Sequence, residues 1–255
     1  MPAPFPGPKR SDRVGMVMDR KRFLVGIIYG GRAAEFNGLL CSLWDHTSRD
    51  FDLIVGVNKF DERIEAELSP ERCLTCSHNR RAAYFGKNIG HFPMANFLAR
   101  RAVVEGYDYF VDVNDDVLIA QADWLERIEE EFAKRPGTAL VAFEECVVNP
   151  KDLRWDGQGL TSTEFASACF ATSTAYIKEH GLFDPRFNWY CGDSDLCWMA
   201  TRIHKKAIGI IERGWIKHDF RCGRDLTFGE EVARNARADS KALYDKWDDP
   251  HHPKP

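Results

Sequence analysis

Apolar segments of strand length alternate along this chain with amphipathic segments of helical period, and this alternation constrains the fold more than any other feature. Residues 23–29 form a continuous apolar run that breaks at two glycines, as expected for a strand buried on both faces of a sheet. Apolar residues then recur at spacings of three and four over 33–47, which predicts a helix with one buried stripe. A second apolar run, 51–57, predicts the next strand.

The same alternation continues toward the end of the chain. It predicts strands at 109–113, 139–143, 165–171 and 207–211, and helices that include 93–106, 124–135, 193–204 and 232–247. Repeated alternation of this kind predicts an α/β fold, with a mixed, mostly parallel sheet flanked by helices. Ligands of such sheets bind at the carboxyl ends of the strands, so polar residues at those ends are candidates for function.

The composition is that of an ordinary globular protein. The chain has 255 residues, and 35 Lys and Arg against 39 Asp and Glu give a net charge of −4, which provides no drive toward a polyanion. Residues 1–21 and 248–255 lack an apolar period and are predicted to be a disordered N-terminal tail and a flexible C-terminal tail, with one folded domain over 22–247. No apolar run approaches the roughly 18 residues that span a bilayer, so we expect a cytoplasmic protein without an integral membrane segment.

The eight cysteines are scattered through the chain, which fits reduced thiols better than a disulfide framework. Cys73, Cys76 and His78 have the spacing of the start of a zinc site, but no second pair of closely spaced cysteines follows. We therefore interpret these cysteines as ordinary thiols, with zinc binding as the alternative.

Carboxylates cluster where the predicted strand 109–113 ends. The segment Asp112-Val-Asn114-Asp115-Asp116 places three acids and an amide close together. Neighbouring carboxylates repel one another, and a cation that prefers hard oxygen ligands, such as Mg²⁺ or Mn²⁺, would hold them together. The alternative is a turn rich in Asp and Asn that binds no ion.

Two further polar groups follow later in the chain. Asp193 and Asp195 fall in the first turn of a predicted helix, just after Trp189 and Tyr190. The helix dipole favours an ionised carboxylate there, ready to act as a general base, and the rings could stack on a sugar or base. The alternative is a simple N-cap beside core aromatics. His218 follows the predicted strand 207–211, where a neutral imidazole could complete a Mn²⁺ site built from oxygens.

These groups, in this order, resemble the inverting glycosyltransferases of the GT-A fold, in the broad family 2 group. The N-x-G…N segment of that family is similar to Asn88-Ile-Gly90 with Asn96, and its metal motif is similar to Asn114-Asp115-Asp116. The longest match is to the family segment G-x-F-D-x-x-F-x-x-Y-x-(E/G)-D-x-D-L-C, which corresponds to residues 181–197. The resemblance spans residues 22–220.

The resemblance implies transfer of a sugar from a nucleotide-sugar donor to an acceptor hydroxyl, with inversion at the anomeric carbon. It implies that Asp193 is the catalytic base, and that Asp195, Trp189 and Tyr190 bind or support the acceptor. The family often has a glutamate where this chain has Gly192, so the assignment of the base rests on Asp193 alone.

The same resemblance implies a divalent cation, Mn²⁺ or Mg²⁺, held by Asp116 and His218. The residues that it implies in donor binding are Tyr29, Gly30, Arg32, Asn58, Asn88, Asn114 and Asp115. A family aspartate that grips the base or ribose follows the second strand, where this chain offers Asn58 or Asp61.

The acceptor and two other classes of protein are left open by the sequence. A glycan or other saccharide is the default acceptor, and a hydroxymethylated base in DNA is the alternative, for which arginine pairs such as Arg80-Arg81 would form basic patches. A nucleotidyltransferase would need a basic, glycine-rich loop after the first strand, which residues 29–32 only faintly suggest. A catalytically silent module that binds a carbohydrate or nucleotide is the remaining alternative.

Overall fold

The structure is a computed structural model that describes residues 21–58, 61–68, 79–218 and 229–247, with side chains from 233 onward in the last range. The predicted tails 1–21 and 248–255 lie outside the described residues, apart from Lys21. Cys73, Cys76 and His78 also lie outside them.

Strands and helices alternate through the described residues as the sequence predicts. The strands are β1 (Phe23–Tyr29), β2 (Asp52–Val57), β3 (Arg80–Tyr84), β4 (Tyr109–Asn114), β5 (Val117–Ile119), β6 (Thr138–Phe143), β7 (Arg154–Trp155), β8 (Leu160–Thr161), β9 (Cys169–Ser173), β10 (Ala207–Ile211) and β11 (Ile216–His218). The helices are α1 (Ala33–Asp45), α2 (Glu62–Leu68), α3 (His91–Val104), α4 (Trp124–Lys134), α5 (Thr174–His180), α6 (Gly192–Trp198) and α7 (Gly229–Trp247).

The main sheet has the order β3-β2-β1-β4-β9-β6-β10-β8-β7. Strands β1, β2, β3 and β4 are parallel neighbours, and β6 and β10 are also parallel. Strand β9 runs antiparallel between β4 and β6. A separate antiparallel pair joins β5 to β11. The predicted α/β class and the mixed, mostly parallel sheet are therefore confirmed.

The core lies between this sheet and its helices. Every residue of β1 is buried, as the continuous apolar run predicts, and the apolar stripe of α1 is buried as well. Helix α3 packs across β1, β2 and β4. Gly26 allows this close approach, because a Cβ atom there would lie 3.2 Å from Cδ1 of Leu98 on α3, and 2.7 Å from the ring of Phe110 on β4. None of the described helices is long and apolar enough to cross a membrane.

Most elements match their predicted bounds to within three residues, and two differ by more. The strand expected at 165–171 is β9, which starts at Cys169, because residues before it turn back on themselves and Ala166 donates to the carbonyl of Cys146 at 2.8 Å. The helix expected at 193–204 is α6 followed by a π-helical turn, Met199–Ile203. Within that turn the N–H of His204 reaches the carbonyl of Met199 at 2.9 Å. Such turns in α-helices often accompany functional sites.

Candidate active site

The ends of β1 and β4 bring the first group of predicted site residues together. These strands are parallel neighbours with Ile28 opposite Asn114, so the residues that follow them meet at the same edge of the sheet. The backbone N–H of Gly30 donates to Oδ2 of Asp115 at 2.8 Å. Arg32, just before α1, donates to Asp115 and also to Oδ2 of Asp116, the second contact at 2.6 Å. One guanidinium therefore bridges the two neighbouring acids.

The pKa values of Asp115 and Asp116 are shifted in opposite directions by their surroundings. Burial raises the pKa of Asp115, against the influence of Arg32. Burial acts in the same sense on Asp116, but His218 and Arg32 outweigh it and lower the pKa of that carboxyl. Asp116 is therefore ionised at neutral pH.

His218 reaches Asp116 because of the small second sheet. Strand β11 pairs with β5, which directly follows Asp116 in the chain, and His218 stands opposite Val117 in the register. The Nε2 atom of His218 lies 3.5 Å from Oδ1 of Asp116. The pairing of β5 with β11 thus brings together two residues that are far apart in the sequence.

The donor atoms of this cluster fit a divalent cation that also has ligands from another molecule. The Oδ1 atoms of Asn114 and Asp116 are buried and have no hydrogen-bond partner within the described residues. Within those residues, no group of three His, Cys, Asp or Glu side chains is arranged to hold an ion. Asp116 and His218 are the side chains that could hold a cation here, and two ligands would leave coordination positions for oxygen atoms of a bound molecule.

Asp193 lines a cleft of about 340 Å³, the inner cleft, which Asp116 and His218 also line. Backbone N–H groups of Ser194 and Ser167 donate to its carboxylate at 3.0 and 3.3 Å. Burial nevertheless raises the pKa of Asp193. A carboxylate with a raised pKa accepts a proton more readily, which suits a general base.

The backbone before Asp193 is unusual. Cys191, the N-cap of α6, has a positive φ of 62°, which is uncommon for a residue other than glycine. Gly192 follows it, and a Cβ atom there would lie 2.6 Å from the ring of Phe92 on α3. A larger side chain does not fit at this position. The ring of Phe92 therefore explains why this chain has Gly192 at the position where the family often has a glutamate.

Asp195 points away from the inner cleft. Its side chain is 2% exposed and accepts hydrogen bonds from Nζ of Lys246 at 2.9 Å and from Nε1 of Trp247 at 2.8 Å. Lys246 also contacts Asp184, at 3.0 Å. Asp195 therefore anchors the end of α7, and the structure does not bring it to the wall that Asp193 occupies.

Trp189 and Tyr190 line the inner cleft, and Trp189 also borders a neighbouring cleft of about 740 Å³, the side cleft. Their backbone is held by Asp239 of α7, a carboxylate that is 1% exposed. It accepts the N–H groups of Asn188, Trp189 and Tyr190 at 3.2, 2.8 and 2.9 Å. The sequence carries no signal for this role, because an acid in a polar helix is ordinarily solvated.

The remaining predicted donor-binding residues surround the side cleft. The residues of that set on its wall are Tyr29, Gly30, Asn58 and Asn88. The hydroxyl of Tyr29 is buried without a hydrogen-bond partner in the described residues, so it is available to a ligand. Asn58 accepts the N–H of Ile89 at 2.9 Å and so ties the end of β2 to the start of α3. Asp61 also lines the cleft and pairs with Arg63 at 2.7 Å.

His91, which sequence reasoning missed, also lines the inner cleft. It is the first residue of α3, and its Nε2 atom lies 3.6 Å from Oδ2 of Asp112. Asp112 is completely buried in β4, and neither of its oxygens has a hydrogen-bond partner in the described residues. Asp112 was predicted as part of the acidic cluster at the strand end, but the structure places it beneath His91. The sequence does give one signal for a site role of His91, because this residue directly follows the Asn88-Ile-Gly90 segment.

No protein-family model matches this sequence, and no curated protein matches it either. Solved structures do match. A mannosyltransferase, PcManGT from Pyrobaculum calidifontis in complex with GDP-Man and Mn²⁺, aligns with a TM-score of 0.61 and 13% identity, covering 77% of this chain and 57% of that one. S. aureus TarS 1-349 aligns with a TM-score of 0.59 and 14% identity, covering 88% of this chain and 72% of that one.

A third match is GalNAc-T7 with UDP, GalNAc and Mn²⁺, with a TM-score of 0.59 and 11% identity. The alignment covers 79% of this chain and 44% of GalNAc-T7, so the chain spans less than two thirds of the length of GalNAc-T7 and of PcManGT. Identities this low establish the fold alone. The order of strands, the placement of the clefts at the strand ends and these alignments together show that the chain has the GT-A fold.

Proposed function

We propose that this chain is a metal-dependent, inverting glycosyltransferase that moves a sugar from a nucleotide-sugar donor to a hydroxyl group of a saccharide acceptor. The observation that supports this best is the inner cleft itself. Asp116 and His218, the proposed cation ligands, and Asp193, the proposed base, line the same cleft. A displacement at an anomeric carbon needs both groups, because the diphosphate leaves with negative charge on one face of the sugar while a hydroxyl attacks the other face.

The side cleft is the proposed donor site. Its wall offers the unpartnered hydroxyl of Tyr29 and the side chains of Asn58 and Asn88, which suit the base and ribose of a nucleotide. Gly30 lines both clefts, and so does Trp189. A nucleotide in the side cleft would therefore place its diphosphate at the junction, beside Arg32 and Asp116.

Asp116 and His218 would hold the cation, whose chemistry there would be the neutralisation of negative charge on the leaving diphosphate. Arg32 would contribute a second positive charge at the same place. Asp193 would accept the proton of the acceptor hydroxyl as that oxygen attacks the opposite face of the sugar. Burial of Asp193 helps this step, because its raised pKa favours the protonated product.

The comparisons support the donor class without fixing the base or the sugar. GalNAc-T7 was solved with UDP and Mn²⁺, and PcManGT with GDP-Man and Mn²⁺. These ligands differ in their nucleobase, so the donor of this chain is a question for experiment. The comparisons lend no support to an acceptor in DNA, and a saccharide remains the proposed acceptor.

The first test is a thermal-shift screen of UDP, GDP, dTDP and CDP, each with and without Mn²⁺. A ligand at 100 times its Kd adds about 2.7 kcal/mol to the free energy of unfolding, which is readily visible as a rise in Tm. We expect one nucleotide to stabilise the protein in a Mn²⁺-dependent manner. Asp116→Ala should abolish this shift, whereas Asp50→Ala, which alters an exposed acid, should retain it.

The second test follows transfer from the sugar form of that nucleotide. The anomeric proton of the product, observed by NMR, should show the configuration opposite to that of the donor. Retention of configuration would refute inversion. Mn²⁺-dependent nucleotide binding with neither transfer nor donor hydrolysis would instead indicate a silent binding module.

A further inference from the structure

A third cleft of about 690 Å³, the outer cleft, shares a lining residue with the inner cleft. Cys191 lines both of them, and Ser194, the residue after Asp193, lines the outer one. The two clefts therefore share a wall residue at the beginning of α6. An acceptor that presents a hydroxyl to Asp193 would pass Cys191 to reach the outer cleft.

The outer cleft has an aromatic wall. Tyr244 projects from α7 and is 57% exposed, which is unusual for a large ring at a cleft with polar neighbours. An exposed ring of this kind offers an apolar face against which the C–H face of a sugar ring can pack, with a hydroxyl at its tip for hydrogen bonding. Trp198 also lines the cleft, but the guanidinium of Arg202 covers its ring at 4.7 Å from the centroid.

The polar groups of the outer cleft suit a hydroxyl-rich ligand. The Nη1 atom of Arg202 is buried with no hydrogen-bond partner in the described residues, so a ligand oxygen would satisfy it. Glu164 is held in place by the hydroxyl of Ser194, which donates to its Oε1 atom. Asn149 and Ser240 add an amide and a hydroxyl to the same wall. Both donors and acceptors thus line the cleft.

The charges of the outer cleft disfavour a polyanion. Asp152 and Glu164 place two carboxylates on its wall, against one guanidinium from Arg202. A phosphodiester backbone would meet net negative charge, whereas a neutral saccharide would meet hydrogen-bonding groups at no electrostatic cost.

From this arrangement we infer that the outer cleft binds the second sugar unit of a neutral oligosaccharide acceptor, while the first unit presents its hydroxyl to Asp193. This inference rests on the proposed function and specifies its acceptor. It also assigns Tyr244 and Arg202 as residues that determine acceptor specificity.

The test compares matched acceptors. Once the donor has been identified, neutral 4-nitrophenyl glycosides of glucose, galactose, mannose and N-acetylglucosamine are assayed beside the corresponding disaccharide glycosides. We expect kcat/KM to be at least tenfold higher for one disaccharide than for its monosaccharide. Tyr244→Ala and Arg202→Gln should each remove most of this gap by raising KM for the disaccharide, with kcat/KM for the monosaccharide unchanged.

Trp155→Ala is the matched control, because Trp155 on β7 is also an exposed ring, at 67%, and does not line the outer cleft. The Mn²⁺-dependent thermal shift with nucleotide should be the same in all three variants. Asn149→Ala provides a further variant at the wall of the cleft, in case Arg202→Gln lowers the amount of folded protein.

Three results would overturn the inference. These are equal use of monosaccharides and disaccharides, a disaccharide preference that survives in Tyr244→Ala and Arg202→Gln, and transfer only to DNA that contains hydroxymethylated bases. If the proposed function fails, with no nucleotide binding and no donor hydrolysis, saturation-transfer NMR with the same disaccharides still tests the cleft. Binding lost in Tyr244→Ala would support the site, and no binding of any disaccharide would refute it.

Discussion

The carboxylate of Asp239 accepts the backbone N–H of Trp189 at 2.8 Å. Through this contact α7 holds the loop that borders both the inner and the side cleft, although the two residues are far apart in the sequence. The same carboxylate accepts the N–H of Tyr190 at 2.9 Å. The arrangement of this loop therefore depends on the docking of the last described helix.

Asp239→Ala should lower the free energy of unfolding by about 2–4 kcal/mol, because it removes a buried carboxylate that accepts three backbone N–H groups. Transfer should fall as well, since Trp189 loses its fixed position. Chemical denaturation and initial rates measure the two effects. Asp245→Ala, at an exposed acid of the same helix, should change the stability by less than about 0.5 kcal/mol. Equal stabilities of the two variants would contradict the proposed role of Asp239.

Asp193→Asn should lower kcat by about 10²- to 10⁴-fold, the usual contribution of a positioned general base, while the nucleotide-dependent thermal shift is retained. The pH dependence follows from the raised pKa of Asp193. The base must be ionised to act, so activity should rise as the pH rises through that pKa, at a higher pH than the value of about 4 of an ordinary carboxyl. The acid limb of kcat/KM should be absent from the residual activity of the variant. A limb that persists would assign the titration to another group.

Arg32→Gln should separate the binding of the cation from that of the donor. The guanidinium of Arg32 neutralises Asp115 and Asp116 in the absence of an ion, and so it competes with Mn²⁺ for the same carboxylates. Isothermal titration with Mn²⁺ alone should therefore give severalfold tighter binding to the variant. Binding of the nucleotide with Mn²⁺ should weaken by about 10- to 150-fold, because a charge–phosphate contact is worth about 1.5–3 kcal/mol. Arg213→Gln, which breaks an exposed ion pair with Glu144, should change neither value.

Asp195→Asn should act on stability rather than on the acceptor. The Asp195 carboxylate is buried with Lys246 and Trp247, and removing its charge leaves the Lys246 ammonium short of one partner. We expect a loss of about 2–4 kcal/mol in the free energy of unfolding, with KM for the acceptor unchanged. Chemical denaturation measures the stability, and initial rates over a range of acceptor concentrations measure KM, both on the same preparation. A raised KM at unchanged stability would instead support the acceptor role that the resemblance implies.

Much of the fold and part of the site could be predicted from the sequence, because both depend on local patterns. The buried run of β1 and the stripe of α1 are patterns of neighbouring residues, and the structure has both elements close to the predicted bounds. The positions of Asp116 and Asp193 at the ends of their elements follow in the same way. Local pattern was less informative at 165–171, where pairing with two neighbouring strands decides where β9 begins.

What only the tertiary structure decided is where each polar side chain finds its partner. Asp193 and Asp195 are two positions apart in one helical turn, yet one lines the inner cleft and the other binds Lys246. Two other contacts also join distant parts of the chain. His91 contacts Asp112, and Asp239 accepts the backbone N–H of Trp189. The sequence by itself determined the elements and the residues at their ends, since propensity and hydrophobic period act over a few residues. Packing decided the direction of each side chain, because a buried charge or N–H group is stable only where another element supplies its partner.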